Sequence, residues 1–563
     1  MENNQLFKTI YDDLKSRFLD PLETNRGDIH KLIDIAFQNI PDVKNVYDAY
    51  IGEYTGDYSW LREYDHIPYY PKKREELIQA ISRVLHGHIK WHSPTALHNI
   101  NPPVMLDCVV VSALANLYNP NALWDFVSAG VLELEQQIIR QMGSLCGWGN
   151  EVDGAFTYGG KGCLTYAVRI GLNRCLPGVS SAGIAYFGKS PVVITSEENH
   201  YSIDTVCSLL GLGTNSCIRI KTTETGVMDF NEFCRVYEEL VDNNIPIACI
   251  IVSGGNTLDN SIDPLKDIYD FVCNISEIKK MTYRPYIHFD TVVGWPWLFF
   301  KDYDFDYNPL QIDEITLNQI KKVTDNLINV TYADSIGIDF HKDGFSPYIS
   351  SLFLIKNGAE LHSIYKNEVK RLERKEHGSN FVQHHTIEHS RSAAPIFSAW
   401  IALQGAGVGG FQAYIANLMS VANIFRNVLP NNGLELLNAH SLSFASVFWA
   451  KMPGGPETYQ ELLESNDETI ERANDYNYKF FLHLASGKYG SSKIVLGFLP
   501  EYKVNSRGNK VSALRVYPMS MALNAEMAFE IAKQIAEIKK RFDENYEYES
   551  YAVIGNRPTH VPK

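Results

Sequence analysis

The spacing of apolar positions changes along the chain. Apolar residues at helical spacing predict helices over 104–118 and 127–145, within a largely helical first part. From about 150 to 355, short β-rich runs alternate with helical stretches, and these runs lie at 192–196, 248–253, 286–290 and 335–339. Such alternation is typical of an α/β protein with a largely parallel sheet wrapped by helices.

The same pattern divides the 563 residues into three parts. We expect a helical segment over 1–125, a large α/β domain over 126–430, and a small α+β domain over 431–563. The small domain is predicted from strand-like runs at 443–451 and 513–518 and from a helix at 521–541. The total length agrees with this division, since a domain typically holds roughly 100–200 residues.

Composition narrows the class of protein without identifying it. Apolar residues make up 45% of the chain and charged residues 21%, as in an ordinary globular protein. With 51 Lys and Arg against 66 Asp and Glu, the net charge of −15 argues against a protein that coats nucleic acid. The chain begins with a polar stretch, and no apolar run approaches the roughly 20 residues of a membrane span. We therefore expect a cytoplasmic protein with neither nucleic-acid nor membrane partners.

The nine cysteines form no recognisable framework. Their number is odd, and no two are spaced as Cys-x-x-Cys, the spacing common in zinc sites. Reduced, mostly buried thiols in a cytosolic protein explain this pattern best. The sequence therefore predicts neither disulfides nor a metal site.

Polar side chains follow each of the four predicted strands. His200 follows the first run and the pair Asn256-Thr257 the second, Asp290 ends the third, and His341-Lys342 follow the fourth. Ligands of open parallel sheets gather beyond the carboxyl ends of the strands, so these groups are expected at one rim. A single aspartate at a strand end is more often a helix cap or a satisfied polar group. The whole set is much harder to explain by packing.

A glycine-rich turn precedes these strands. Gly160, Lys161 and Gly162 open a predicted helix that runs to about Arg174. Backbone N–H groups at such a turn, together with the positive end of the helix, can hold an anion, although the signal alone is weak. A phosphate site, a lysine and a buried carboxylate together fit pyridoxal 5′-phosphate.

In this interpretation Lys342 forms the imine with the cofactor and Asp290 pairs with its ring nitrogen. His200 covers the ring face, and the glycine turn holds the phosphate. The remaining predicted contacts to the cofactor come from Asn256, Thr257 and His341.

Four motifs resemble those of the group II pyridoxal-phosphate-dependent amino-acid decarboxylases, which include the aromatic, tyrosine, histidine and glutamate enzymes. The motifs are TYGGKG, ENHYSI, IHFD and ADSIGIDFHK, and the resemblance covers about residues 90–430. It implies a fold-type-I transferase architecture in a homodimer, with an N-terminal segment swapped between subunits. It also implies decarboxylation of an L-amino acid, with an aromatic one as a candidate, to an amine and CO2 through a quinonoid intermediate.

The chain departs from the family at several positions. Lys161-Gly162 stand where the family usually has Ser or Thr and then a Glu-like residue. Asp343 replaces the aromatic residue that often follows the lysine. The interval from Asp290 to Lys342 is also longer than expected, and the surplus is expected within 301–326.

The resemblance leaves the substrate and the proton donor open. His98 and Arg391 are predicted to bind substrate, with a salt bridge as the alternative role of Arg391. Residues 358–390 are predicted to form a lid carrying Tyr365 as the proton donor, with His384 or His385 as alternatives. Other functions also stay open, namely aldehyde-forming oxidative decarboxylation, carbon–carbon lysis, or an inactive scaffold.

Overall fold

The computed structural model describes residues 2–53, 57–362, 385–487 and 492–546, together with Ile364 and Val382. Its helices, numbered in chain order, are α1 Glu2–Lys15, α2 Asp28–Gln38, α3 Arg74–Val84, α4 Leu106–Tyr118, α5 Asp125–Ser128, α6 Val131–Leu145, α7 Gly160–Cys175, α8 Val179–Ala182, α9 Ser202–Leu209, α10 Phe230–Asp242, α11 Leu265–Ile278, α12 Glu314–Leu327, α13 Phe340–Asp343, α14 Gly358–His362, α15 Ala394–Val428, α16 Tyr459–Glu464, α17 Asp467–Ser486 and α18 Ala525–Asn545. The strands are β1 Ala96–Leu97, β2 Asp153–Thr157, β3 Val192–Ser196, β4 Cys217–Ile220, β5 Ile247–Ser253, β6 Tyr286–Asp290, β7 Ser335–Asp339, β8 Ser351–Ile355, β9 Leu434–Leu436, β10 Ser446–Ala450, β11 Val495–Val504 and β12 Lys510–Val516.

A seven-stranded sheet forms the centre of the large domain, in the order β2-β8-β7-β6-β5-β3-β4. The strands from β7 to β4 run parallel, whereas β8 is antiparallel to both of its neighbours. The four predicted runs are β3, β5, β6 and β7, and every residue in them is buried. Burial on both faces explains why they read as continuous apolar runs without alternation. Their carboxyl ends meet at one edge of the sheet.

A second, five-stranded sheet forms the centre of the C-terminal part, in the order β1-β11-β12-β10-β9. Its edge strand β1 comes from the N-terminal segment and pairs in parallel with β11. The predicted runs at 443–451 and 513–518 correspond to β10 and β12. The turn after β1, which carries His98, therefore reaches the large domain from the side of the small sheet.

The helices before residue 125 leave many apolar side chains in solvent. Phe7 of α1 is 65% exposed, Phe37 near the end of α2 is 70% exposed, and Leu106 at the start of α4 is 80% exposed. Among the residues that the structure describes, no helix combines the length and apolar character needed to cross a membrane.

Candidate active site

The glycine turn packs tightly onto the end of β2 and the start of α7. A Cβ atom at Gly162 would stand 2.2 Å from Thr157 Oγ1, so only glycine fits there. A Cβ atom at Gly160 would lie 3.3 Å from Asp339 Oδ2. Gly159 has a φ of +107°, a left-handed conformation that glycine adopts without strain. The turn is thereby brought beside the carboxyl end of β7.

Lys342 lies on the short helix α13 directly after β7, facing a buried carboxylate. Its Nζ is 2.9 Å from Asp339 Oδ2, while Ser351 Oγ donates to Asp339 Oδ1 at 2.5 Å. The Asp339 side chain is 2% exposed. Although burial opposes both charges, their attraction raises the pKa of Lys342 and lowers that of Asp339. The lysine is therefore held as an ammonium ion by Asp339.

Asp290 ends β6, next to the strand that carries this pair. Its backbone carbonyl accepts a hydrogen bond from Gly254 N at 2.9 Å, and the residue as a whole is 6% exposed. Burial raises the pKa of Asp290 to about 6, with Lys342 acting in the opposite direction. A cation placed against this carboxylate would be strongly stabilised. A protonated ring nitrogen is such a cation.

His200 follows β3 on a loop that Arg219 organises from the neighbouring strand β4. Arg219 Nη1 donates to the carbonyl oxygens of Ser196 and Asn199, both at 3.0 Å, and Arg219 also pairs with Asp204. The imidazole Nδ1 lies 2.8 Å from Ser202 Oγ and the ring stacks on that of Tyr201, with centroids 4.5 Å apart, so the ring orientation is fixed. Desolvation, followed by the charge of Lys342, lowers the pKa of His200 to about 4. A neutral ring suits stacking on a cofactor.

Two side chains near His341 and Lys342, Asn101 and Tyr348, were not selected from the sequence. We call the surface they form the mouth of the site. The ring of Tyr348 lies 4.6 Å from that of His341, and its hydroxyl accepts a hydrogen bond from Asn101 Nδ2 at 2.9 Å. Tyr348 is 60% exposed, whereas His341 is buried with Nδ1 3.0 Å from the carbonyl oxygen of Ser350. Tyr348 and Asn101 therefore add a polar surface beside Lys342.

Asn256 and Thr257 lie half-buried in the turn after β5. Asn256 Oδ1 accepts a hydrogen bond from Asp259 N at 2.8 Å, which shapes the turn. Gly255, with a φ of +121°, packs against Gly294 after β6. The cofactor contacts predicted for Asn256 and Thr257 stay predictions.

The two predicted substrate-binding residues lie in different surroundings. Arg391 Nη1 and Nη2 bind Glu135 at 2.5 and 2.8 Å, and its side chain is 5% exposed. This is the salt bridge weighed as the alternative, although it lies in the interior. His98 is half-buried, and burial followed by Arg515 lowers its pKa to about 4. A substrate contact for either residue stays a prediction.

Asp343, directly after the lysine, is completely buried. Neither carboxyl oxygen has a hydrogen-bond partner within the part of the chain that the structure describes. Burial raises the pKa of Asp343 to about 8, against the opposing charge of Lys342. A buried carboxyl group without partners is stable mainly in its protonated form.

The predicted proton donor cannot be placed, because Tyr365 and the alternative His384 lie outside the described residues. His385 is described and lies beside Asp153 and His362.

Glu388, which the sequence gave no reason to select, binds the end of β2. It accepts hydrogen bonds from the Thr157 hydroxyl and from Tyr158 N at the start of the glycine turn.

Comparison with known proteins assigns this arrangement to a class. A family model described as the pyridoxal-dependent decarboxylase conserved domain matches residues 61–294 and 319–451, well over half of the chain. Fold and site together define a pyridoxal-phosphate-dependent carboxy-lyase of amino acids. The chain belongs to the pyridoxal-dependent decarboxylase family, so the resemblance seen in the motifs is confirmed. The match omits residues 295–318, which overlap the range where surplus length was expected.

Relatives and solved structures extend this finding. An L-2,4-diaminobutyrate decarboxylase of Acinetobacter baumannii is 24% identical over 71% of this chain and 76% of its own length. An acidic amino acid decarboxylase of Xenopus tropicalis is 26% identical over 37% of this chain and 40% of its own length. The crystal structure of mouse CSAD has a TM-score of 0.75 at 16% identity, covering 92% of this chain and 99% of that one. Oryza sativa TDC with PLP and tryptamine gives 0.72 at 14% identity, covering 93% and 99%. The expected fold-type-I architecture is confirmed.

The described residues fit the cofactor. Glycine is required at Gly162 by close packing against Thr157, and the turn stands at the N-terminus of α7, where an anion is favoured. Asp290 is buried and has no directly bonded cation among the described residues, and Lys342 reaches the same strand edge. These are the three chemical contacts that pyridoxal phosphate needs: an anion site, a partner for the ring nitrogen and an amine.

Proposed function

We propose that this enzyme decarboxylates an L-amino acid with a polar side chain, and that it does so as a homodimer in the cytoplasm. The observation that carries the chemistry is Lys342 held between buried carboxylates at the rim where the glycine turn lies. The polarity of the mouth, formed by Asn101 and Tyr348, supports the substrate class. The free state of the described cysteines agrees with a reducing compartment.

In this proposal the turn from Gly160 to Gly162 holds the cofactor phosphate, and Lys161 adds a positive charge. His200 covers the ring face, while Asn256, Thr257 and His341 complete the contacts. Asp290 keeps a proton on the ring nitrogen. When bound, the cofactor supplies an electron sink for the bond that breaks.

Lys342 and Asp339 divide the proton chemistry at the amine. Asp339 Oδ2, 2.9 Å from Lys342 Nζ, stabilises the ammonium form of the lysine, and that proton must leave before Lys342 can react as a free amine. Asp339 thereby controls the protonation of Lys342 and fixes the position of its Nζ.

The substrate proposal rests on the groups at the mouth. Tyr348 accepts a hydrogen bond from Asn101, and its hydroxyl group can still accept a bond from a substrate ammonium group or donate one to a substrate oxygen. A polar side chain can make such a bond, whereas a purely hydrocarbon ring cannot. The Acinetobacter relative supports a diamino acid, because its alignment covers most of both chains. We therefore propose L-2,4-diaminobutyrate as the first substrate to test.

The test uses the holoenzyme with a panel of L-2,4-diaminobutyrate, L-aspartate, L-glutamate, L-tyrosine and L-tryptophan. Amine and CO2 are quantified together with aldehyde and peroxide. We expect the highest kcat/KM with a polar substrate and an amine as the product. A preference for an aromatic substrate would overturn the substrate class, and aldehyde with peroxide would favour the oxidative alternative. The same assay on Tyr365→Phe tests the predicted proton donor.

The proposed dimer follows from the uncovered apolar face of the N-terminal helices. On α4, Leu106 is 80% and Val110 is 67% exposed, and on α3 Ile81 is 69% exposed. Several large apolar side chains exposed on the N-terminal helices are typical of a protein interface, and a second copy of the chain would cover them. Light scattering at micromolar concentration should give the mass of a dimer. Val110→Glu should shift it toward the monomer, whereas a monomeric wild-type enzyme would contradict the proposal.

A further inference from the structure

Two histidines and an aspartate from distant parts of the chain meet at the edge of the large sheet where β2 begins. One ligand atom each of Asp153, His362 and His385 lies within 4.8 Å of the other two. Asp153 Oδ2 is 3.0 Å from His362 Nε2, and the ring centroids of His362 and His385 are 4.3 Å apart. We propose that these three side chains bind a divalent transition-metal ion such as Zn²⁺, outside the cofactor site.

The chemistry of the donors matches such an ion. Imidazole nitrogens and a carboxylate oxygen are preferred zinc ligands, usually in tetrahedral geometry with water completing an open site. With bonds of about 2.1 Å, neighbouring ligand atoms of a tetrahedral site are about 3.4 Å apart. The carboxylate and the first histidine, 3.0 Å apart, are close to this spacing. The ligand atom of the second histidine lies within 4.8 Å of both, so it needs a movement of at most about 1.4 Å, which side-chain rotation supplies.

The carboxylate is oriented by bonds to its other oxygen. Asp153 Oδ1 accepts hydrogen bonds from Gly154 N at 2.8 Å and from Gln136 Nε2 at 3.2 Å. This leaves Oδ2 directed at the histidines, as outer partners orient the ligands in known metal sites.

The ion can reach the three ligands from solvent, and it would connect the chain near His385 to the beginning of β2. The His362 side chain is 50% exposed and that of Asp153 is 16% exposed. His385 stands three positions before Glu388, whose carboxylate binds Thr157 at the other end of β2. The metal would thus fasten the chain near His385 to the beginning of β2, while Glu388 fastens it to the end. Both bonds brace the strand that leads into the glycine turn.

The experiment measures metal binding directly and does not depend on the substrate. Full-length holoenzyme without an affinity tag is freed of metal with a chelator and titrated with Zn²⁺ by calorimetry and with Co²⁺ by visible absorbance. We expect one ion per chain and a higher thermal midpoint with Zn²⁺. His362→Ala and Asp153→Asn should weaken binding at least about tenfold. His389→Ala, an exposed histidine of the same stretch, should bind as the wild type does.

Folding of each variant is checked by circular dichroism and by the absorbance of the bound cofactor. If His362→Ala fails to fold, His362→Gln and His385→Gln replace it, because they keep a polar side chain of similar size. Zn²⁺ binding unchanged in the variants of His362 and His385 would overturn the proposal. So would a wild-type chain that binds no Zn²⁺ at millimolar concentration.

Discussion

Two buried ion pairs of the large domain look alike but differ in how their charges balance. Arg391 binds both oxygens of Glu135 in a bidentate contact, and the charge of Glu388 contributes less. Lys342 binds Asp339, and Asp290 and Asp343 also act on it, so carboxyl groups outnumber the cation. In the first pair the arginine binds both carboxylate oxygens, whereas near Lys342 the Asp290 carboxylate can still bind another cation such as a protonated ring nitrogen. A cation surrounded by more carboxyl groups than it can neutralise therefore indicates the reactive site more clearly than the burial of a charged group does.

Exchanging the cation in the reactive pair should have the largest effect. Lys342→Arg keeps a positive charge against Asp339, but a guanidinium cannot bond covalently to the cofactor aldehyde. We expect kcat to fall at least about a thousandfold, equivalent to about 4 kcal/mol, with the fold retained. Borohydride reduction and peptide mapping should label Lys342 in the wild type alone. A label on another lysine, or residual turnover above about a hundredth, would show that Lys342 is not the reactive residue.

Asp343 is one of the carboxyl groups around Lys342. Because it is buried, the free energy of unfolding should depend on pH. Its pKa is raised to about 8 by burial, so between about pH 4 and pH 8 the folded chain holds a proton that the unfolded chain has lost. The free energy of unfolding therefore decreases as pH rises through this window. Asp343→Asn cannot ionise, so its free energy of unfolding should exceed that of the wild type by about 5 kcal/mol at pH 8.

Urea denaturation of the cofactor-free protein at several pH values measures this difference. Near pH 4 the two proteins should agree within about 1 kcal/mol, because both carry a neutral side chain there. Parallel stability curves for the variant and the wild type across the window would rule out a protonated Asp343.

The balanced pair should respond to the reverse exchange with a loss of stability. Arg391→Lys keeps the charge but loses the bidentate contact with Glu135 and the bond to the carbonyl oxygen of Phe156. We expect a free energy of unfolding lower by about 2 kcal/mol, with KM of the folded enzyme unchanged. A raised KM at normal stability would instead support the predicted substrate contact of Arg391. Glu135→Gln is the matched variant and should destabilise the chain similarly.

The sequence predicted the parallel strands because their residues are buried on both faces, and with them it predicted Asp290, His200 and Lys342. It did not predict β2 and β8, since Asp153–Thr157 contains a glycine and a charged residue and β8 pairs only with strands distant in sequence. Glu135 lies 256 positions from Arg391, so their pairing has no local signal. Asp339 could have been noticed as a carboxylate three positions before the lysine, at the end of a buried run. Contacts between residues that are far apart in the sequence could therefore be identified only in the folded structure.

Removing the negative charge from Asp339 should change the pKa of Lys342. Although burial opposes the charge, Asp339 raises the pKa of Lys342, so Asp339→Asn should lower it. The neutral amine then forms at lower pH. Mixing cofactor-free protein with pyridoxal phosphate and trapping the product with borohydride measures the rate against pH. We expect the midpoint to move down in the variant and to stay in place for Asp259→Asn, a carboxylate outside the lysine's surroundings. An unmoved midpoint would show that Asp339 does not control this proton.

The smallest effect is expected at the mouth, where groups are exposed and bonded to neutral partners. Tyr348→Phe removes the hydroxyl that Asn101 binds but leaves the ring against His341. A neutral hydrogen bond contributes about 1 kcal/mol, so kcat/KM for a polar substrate should fall about fivefold. L-Phenylalanine, whose side chain has no polar group, should lose nothing or gain slightly. Competition between L-2,4-diaminobutyrate and L-phenylalanine in one assay measures the ratio directly. If both substrates lose activity equally, Tyr348 supports the fold of the mouth and does not select the side chain.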